Sequence, residues 1–131
     1  MDWETLREAA VRAAARSYSP YSHYPVGAAA VTDSGQLVTG CNVENASYGL
    51  TLCAECGLVS ALALSGGGRL IRFTCVDAHG QIITPCGRCR QVLYEFGGAG
   101  LEVLSPGGVV TLGDLLGQAW GPEDLDLGPS D

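Results

Sequence analysis

Two C-x-x-C pairs, Cys53-Ala54-Glu55-Cys56 and Cys86-Gly87-Arg88-Cys89, constrain this chain more than any other feature of its sequence. Thiolates are good zinc ligands, and this spacing lets two of them reach one ion. Each pair stands at the start of an expected helix. The first helix is the small, apolar stretch 53–65, stopped by Gly66-Gly67-Gly68; the second, about 87–96, follows Pro85 and ends at Gly97-Gly98. All four thiols could close a structural site that needs no chemistry. Against that, 29 residues separate the pairs, more than the roughly 15–20 of a usual zinc ribbon. A short two-pair ribbon is also not expected to open two helices.

Glu55 weighs further against the structural site. A carboxylate two residues after a ligand, at a helix N-terminus, hangs beside the metal, where a structural site has no use for it. A hydrolytic site needs such a group to take a proton from bound water and deliver it elsewhere. Catalytic zinc typically has three protein ligands and one open position. A thiol–disulfide oxidoreductase would instead want an exposed, low-pKa cysteine at a helix start, and two pairs together suit metal better.

The rest of the chain reads as one domain over residues 1–131. Apolar positions at helical spacing (Leu6, Ala9, Ala10, Ala13, Ala14) predict a helix over 3–16, with Asp2 as N-cap. Segments 26–32 and 36–42, joined by Asp33-Ser34-Gly35, predict a β-hairpin. Strand-like segments follow at 70–78 and 101–104, with a turn at His79-Gly80, extended chain over 81–84 and a short helix at 111–116. Strands alternating with helices imply a mixed sheet with helices on its faces. The tail from Gly121 is rich in Gly, Pro and Asp and is expected to be loosely held.

Composition narrows the function. The formal charge is −7, and all seven basic residues are arginines that form no basic run, which disfavours nucleic acid or a membrane surface as partner. The absence of lysine excludes Schiff-base chemistry and a P-loop. No apolar stretch approaches the roughly 20 residues of a membrane span. The start, Met1-Asp2-Trp3-Glu4, is acidic and amphipathic, unlike a secretory signal. A cytoplasmic protein with mostly reduced cysteines is the expectation, which favours metal for the clustered ones. Cys41 and Cys75 read as buried free thiols within strands. His23 and His79 read as surface residues in turns, so a Ser-His-Asp hydrolase is set aside.

Cys53-Ala54-Glu55, followed by Pro85-Cys86-Gly87-Arg88-Cys89-Arg90-Gln91, resembles the signature of the cytidine deaminases that use three cysteine ligands. The likeness spans nearly the whole chain and includes Tyr21-Ser22 with Val26-Gly27-Ala28-Ala29, the run from Asn42 through Tyr48, and Leu115-Leu116 with Leu125. It implies an α/β three-layer sandwich, with a mixed sheet of about five strands flanked by helices. It implies one zinc per subunit on Cys53, Cys86 and Cys89, with water in the fourth place. Glu55 would take a proton from that water and pass it to the ring nitrogen, and would then help protonate departing ammonia. The Ala54 N–H would hold the pyrimidine carbonyl, and the carbonyl of Pro85 or its neighbour would receive the amino group. Asn42 and Glu44 would bind the ribose hydroxyls; apart from the resemblance, the alternative is a polar pair that only ends a strand and satisfies the next loop. A carboxylate there repels phosphate, which favours free nucleosides over polynucleotides. Tyr24 falls where relatives carry phenylalanine against the base or sugar. Trp120 falls where they often carry a phenylalanine that reaches a neighbouring subunit, and Tyr48 would help complete an adjacent site. The implied protein is a homotetramer with shared active sites, acting in pyrimidine salvage. A same-fold deaminase of an aminonucleoside antibiotic ranks behind, because Asn42 and Glu44 favour a true ribose.

One departure stands out. Many relatives place an arginine where this chain has Cys56. Zinc, three thiolates and hydroxide sum to about −2, which two helix N-termini, each about half a positive charge, offset only in part. Cys56 is expected to be a neutral thiol beside a ligand sulfur, the alternative being a fourth ligand that would close the site. Arg90 is the candidate to assist with the charge.

Overall fold

The computed structural model describes residues 1–125. Of the tail expected to be loose from Gly121, Pro122–Leu125 form a short 3-10 turn, with the Gly121 N–H donating to Asp124 at 2.8 Å and the Tyr94 hydroxyl to Glu123 at 2.9 Å; the rest of that tail lies outside the described residues. The centre of the fold is β1 (Gly27–Thr32), whose six residues Gly-Ala-Ala-Ala-Val-Thr are all buried. Side chains that small let helices approach the sheet from both sides. Ala29 and Val31 pack with Leu6, Ala9, Ala10 and Ala14 of α1 (Trp3–Ala14). Ala28 and Ala30 face the other way, into a core with Leu58 and Leu62 of α2 (Ala54–Leu64) and Leu93 of α3 (Gly87–Gly97). The result is three layers, with one helix on one face of the sheet and two on the other.

The sheet has five strands in the order β2-β1-β3-β4-β5. β2 (Leu37–Cys41) and β3 (Leu70–Val76) flank β1 antiparallel, while β4 (Glu102–Ser105) joins β3 in parallel after the crossover through α3. β5 (Gly108–Thr111) returns antiparallel at the edge. The mixed five-stranded sheet flanked by helices is the architecture the sequence predicted. β5 is the strand that sequence reading passes over. It is only four residues long and leaves Val109 49% exposed, so it carries little apolar signal. Its turn runs straight into α4 (Leu112–Leu115), where Thr111 and Asp114 form a capping box.

Local chemistry explains the other boundaries. The Asp2 carboxylate accepts from the Thr5 N–H at 2.8 Å and starts α1. β3 stops at Val76, two residues early, because Asp77 Oδ1 accepts from the N–H groups of His79 and Gln81 and turns the chain. The extended segment 81–84 then pairs with β3 only through a bridge between Val76 and Ile82.

One close approach fixes the site. A Cβ on Gly40 would stand 2.3 Å from the Ala54 carbonyl oxygen and 2.5 Å from the Leu58 nitrogen, so only glycine lets α2 lie flat against β2 at this point. Gly40→Ala is expected to displace the first turn of α2, lowering stability by about 1–3 kcal/mol as an overpacked site does. Thermal unfolding would register the loss. Activity should fall by more than the stability loss accounts for, since the shifted turn carries Cys53, Ala54 and Glu55.

Candidate active site

Cys53 and Cys86 are the N-cap residues of α2 and α3, both with extended backbone and neither with a side-chain oxygen to accept from the first turn. Sulfur thus stands where Ser, Thr or Asp usually caps a helix. The free N–H groups and the positive end of each helix dipole face the thiols. The Sγ atoms of Cys53, Cys86 and Cys89 lie within 4.8 Å of one another. Three sulfurs on one tetrahedral zinc at about 2.3 Å would be about 3.8 Å apart, so the cluster fits the ion.

The electrostatics agree with the donor set. Burial pushes the Cys53 thiol up, with the neighbouring Cys86 and Glu55 charges adding to the effect. Cys89 is pushed up further, by burial first and then by Glu55 and the other two sulfurs. Burial also raises Cys86, but the Cys89 N–H and the thiols of Cys89 and Cys53 outweigh it, leaving Cys86 below the usual range. Three thiols this close share one easily formed charge, and a divalent cation is what lets all of them ionise.

Glu55, in the first turn of α2, is 3% exposed and lines the same cavity as the three sulfurs. Burial raises its carboxyl above the usual range, opposed in part by its own backbone N–H and by Cys89. Ala54, also in the cavity wall, is the first residue of α2. Its N–H has no partner within the helix. Ile83, Thr84 and Pro85 also line the cavity, as do Val26, Asn42 and Thr51.

Asn42 and Glu44 fall on two adjoining cavities. Asn42 lines the first, while Glu44 lines a second with Tyr21, Ser22 and Tyr48, and Thr51 borders both. Both polar side chains also organise the loop before β1. Asn42 Oδ1 accepts from the Val26 N–H at 2.9 Å and from the Ser17 hydroxyl, and its amide donates to the Tyr24 carbonyl at 2.9 Å. Glu44 accepts from the Tyr21 and Ser22 N–H groups at 2.9 and 3.1 Å and from the Ser22 hydroxyl. The Ser22 hydroxyl, chiefly, holds the Glu44 carboxyl below its ordinary range despite some desolvation.

The remaining candidates separate. Tyr48, 74% exposed, packs edge-on to Tyr21 with ring centroids 6.0 Å apart. Tyr24 and Trp120 are more than half exposed, and neither side chain lines either cavity. Cys56 is half-buried on α2 and stands outside the three-sulfur group. Among the described residues Arg90 makes no hydrogen bond to the sulfurs: its Nε donates to the Pro85 carbonyl at 2.9 Å and its Nη1 to the Leu115 carbonyl at 2.8 Å. It braces the start of α3 against the end of α4. Sequence reading also missed that Cys75, buried as expected, faces the cavity. Its alternation with Phe73 along β3 was the available signal, since both point to the α2–α3 side.

Comparison with known proteins agrees with this geometry. Residues 1–104 match a family model described as the cytidine and deoxycytidylate deaminase zinc-binding region. A cytidine deaminase of Mycobacterium tuberculosis is 58% identical over 125 residues, 95% of this chain and 94% of that protein. A crystal structure of cytidine deaminase from the same organism superposes with a TM-score of 0.90 at 59% identity, covering 92% of this chain and 98% of that one. That of Mycobacterium leprae gives 0.89 at 57% identity, covering 90% and 99%. With most of its length matched by one family model and more than half its residues shared with these relatives, the chain belongs to the cytidine and deoxycytidylate deaminase zinc-binding family.

Proposed function

We propose that this chain catalyses the zinc-dependent hydrolytic deamination of cytidine and deoxycytidine to uridine and deoxyuridine, releasing ammonia. The observation that carries the reading is the buried Glu55 carboxylate in one cavity with three clustered thiols. The sulfurs of Cys53, Cys86 and Cys89 would hold zinc, which when bound makes water a nucleophile near neutral pH. Cys56 stays outside the cluster, which keeps the fourth position open and speaks against a closed four-cysteine module.

The chain's own groups do the rest. Glu55 takes one proton from the attacking water and delivers it to the ring nitrogen beside the amino-bearing carbon; it then takes the second from the hydroxyl left on that carbon and passes it to the amine, which departs as ammonia while the carbonyl forms. Its desolvated setting, which lifts its affinity for protons, suits a group that alternately accepts and donates one. The Ala54 N–H, at the positive end of α2, holds the pyrimidine carbonyl. The amino group needs an acceptor in the cavity wall. Pro85 and Thr84 both line the cavity, and the Thr84 carbonyl, which accepts no hydrogen bond among the described residues while that of Pro85 takes the Arg90 guanidinium, is the freer of the two for that role.

Asn42 and Glu44 meet the sugar. Glu44 keeps its charge because its carboxyl is held low, and it retains lone pairs for a hydroxyl beyond the loop bonds it accepts. That charge disfavours a phosphate nearby, so nucleosides are preferred over nucleotides. A homotetramer supports the same reading. Val43, Tyr48, Leu50 and Leu52, close together in the chain, are 43–74% exposed, and a neighbouring subunit would cover them. In that assembly Tyr48 and Trp120 would reach a neighbouring subunit's site, and Tyr24 would close over the sugar. One zinc per subunit, a single domain, a cytoplasmic setting and a role in pyrimidine salvage complete the proposal. Among the described residues no helix is long and apolar enough to cross a membrane.

The test is to mix zinc-loaded protein with cytidine, deoxycytidine and deoxycytidylate and follow the change in ultraviolet absorbance. Turnover of both nucleosides is expected, with the nucleotide at least about tenfold slower, as one uncompensated like-charge contact costs. Zinc-loaded protein that leaves both nucleosides intact overturns the assignment and brings forward another cytosine-containing substrate.

A further inference from the structure

The part of the cavity wall formed by Ile83, Thr84 and Pro85 is held from two sides, and one of the holders is Cys75. This thiol is 1% exposed, lines the cavity, and donates from Sγ to the Ile83 carbonyl at 3.2 Å. The Ile83 N–H in turn donates to the Cys75 carbonyl at 3.0 Å. Two residues on, the Pro85 carbonyl is fixed by Arg90. Thr84 lies between these two anchors, and among the described residues its carbonyl accepts no hydrogen bond. The bridge between Val76 and Ile82 is isolated, so the segment has no continuous ladder of its own to hold it.

We infer that Cys75 is a positioning residue, whose thiol bond to Ile83 aims the Thr84 carbonyl into the cavity and so sets the preference for an amino-bearing pyrimidine. The inference rests on the deaminase reading for its chemistry. A carbonyl fixed at that point accepts from the amino group of cytidine but opposes the carbonyl oxygen that uridine carries in the same place. Aiming it therefore favours substrate over product and helps the product leave. A thiol is a weak donor, yet Cys75 is buried and its loss leaves the Ile83 oxygen with one partner fewer.

Cys75→Ala and Cys75→Ser isolate the donor, because the two replacements differ by a single hydroxyl. The zinc-loaded proteins would be compared for cytidine kinetics, for inhibition by uridine, and for exchange of the Ile83 amide by NMR. Cys75→Ala is expected to lower kcat by about 3- to 10-fold, the worth of one net hydrogen bond, while Cys75→Ser stays within about twofold. Uridine should inhibit Cys75→Ala relatively better, measured against the KM for cytidine, and the Ile83 amide should exchange about tenfold faster. A thiol that merely fills space would weaken cytidine and uridine alike. Equal behaviour of the Ala and Ser variants, or unchanged selectivity and exchange in both, overturns the inference. Wild-type protein without cytidine turnover would sink the deaminase reading instead, and the exchange comparison would still decide the role of Cys75.

Discussion

Glu55→Gln is expected to keep its fold and its zinc and to turn over cytidine about 10³-fold more slowly, within the range a positioned proton carrier supplies. The replacement is nearly isosteric and retains hydrogen-bonding atoms, but an amide cannot carry a proton at neutral pH. Water is a poor substitute here, because the side chain is 3% exposed. Stability gives an independent check with the opposite sign. The carboxyl of Glu55 is raised chiefly by burial, which means that the folded state disfavours its charged form. Where the folded pKa exceeds the unfolded one, the charged group costs stability as pH rises through that interval. A neutral glutamine removes this cost, so the variant is expected to unfold at the same or a slightly higher temperature near pH 7. Activity within tenfold of wild type, with full zinc, would remove Glu55 from the mechanism. An inactive variant that also unfolds early would show that its role is structural.

The reach of sequence reasoning here has a physical boundary. The C-x-x-C pairs marked both helix starts because a cysteine followed by an apolar run and a glycine stop is local information. So is the Asp2 cap and the Gly-rich end of α2, where Gly66, Gly67 and Gly68 all take positive φ. What the sequence leaves undecided is which thiols meet. Cys53 with Cys56 and Cys86 with Cys89 occupy equivalent places, N-cap and third residue, on two helices. The tie is broken by how α2 lies across β2 at Gly40, a contact between segments far apart in the chain. Arg90 illustrates the same limit. Its charge suggested help for the thiolates, while its two bonds to backbone carbonyls depend on α4 packing beside α3. Asn42 and Glu44 were legible as a polar pair. Their anchoring of the loop at 17–26 was not, because apart from the Ser17 and Ser22 hydroxyls the partners are backbone groups with no sequence signature.

Cys86→Ala and Cys56→Ala are expected to part company completely, although each removes one cysteine from a C-x-x-C pair. Cys86 is exposed, so its loss opens no core cavity. It is also the thiol of the cluster whose pKa is held below the usual range, by hydrogen bonds that outweigh its burial. It is therefore the sulfur best prepared to bind as thiolate. Removing it leaves two ligands, and zinc affinity should fall by more than the roughly 10- to 100-fold that a supporting residue alone commands. Zinc released to a colorimetric chelator would measure this, together with the loss of thermal stabilisation that bound metal supplies to the folded state. Cys56→Ala should retain about one zinc per chain and most of its activity, because its sulfur stands apart from the other three. Loss of zinc from Cys56→Ala would make it a fourth ligand after all. That result would also close the position needed for water, so the same protein would have to be inactive before substitution. Zinc content and wild-type turnover measured side by side thus leave the two arrangements no common outcome.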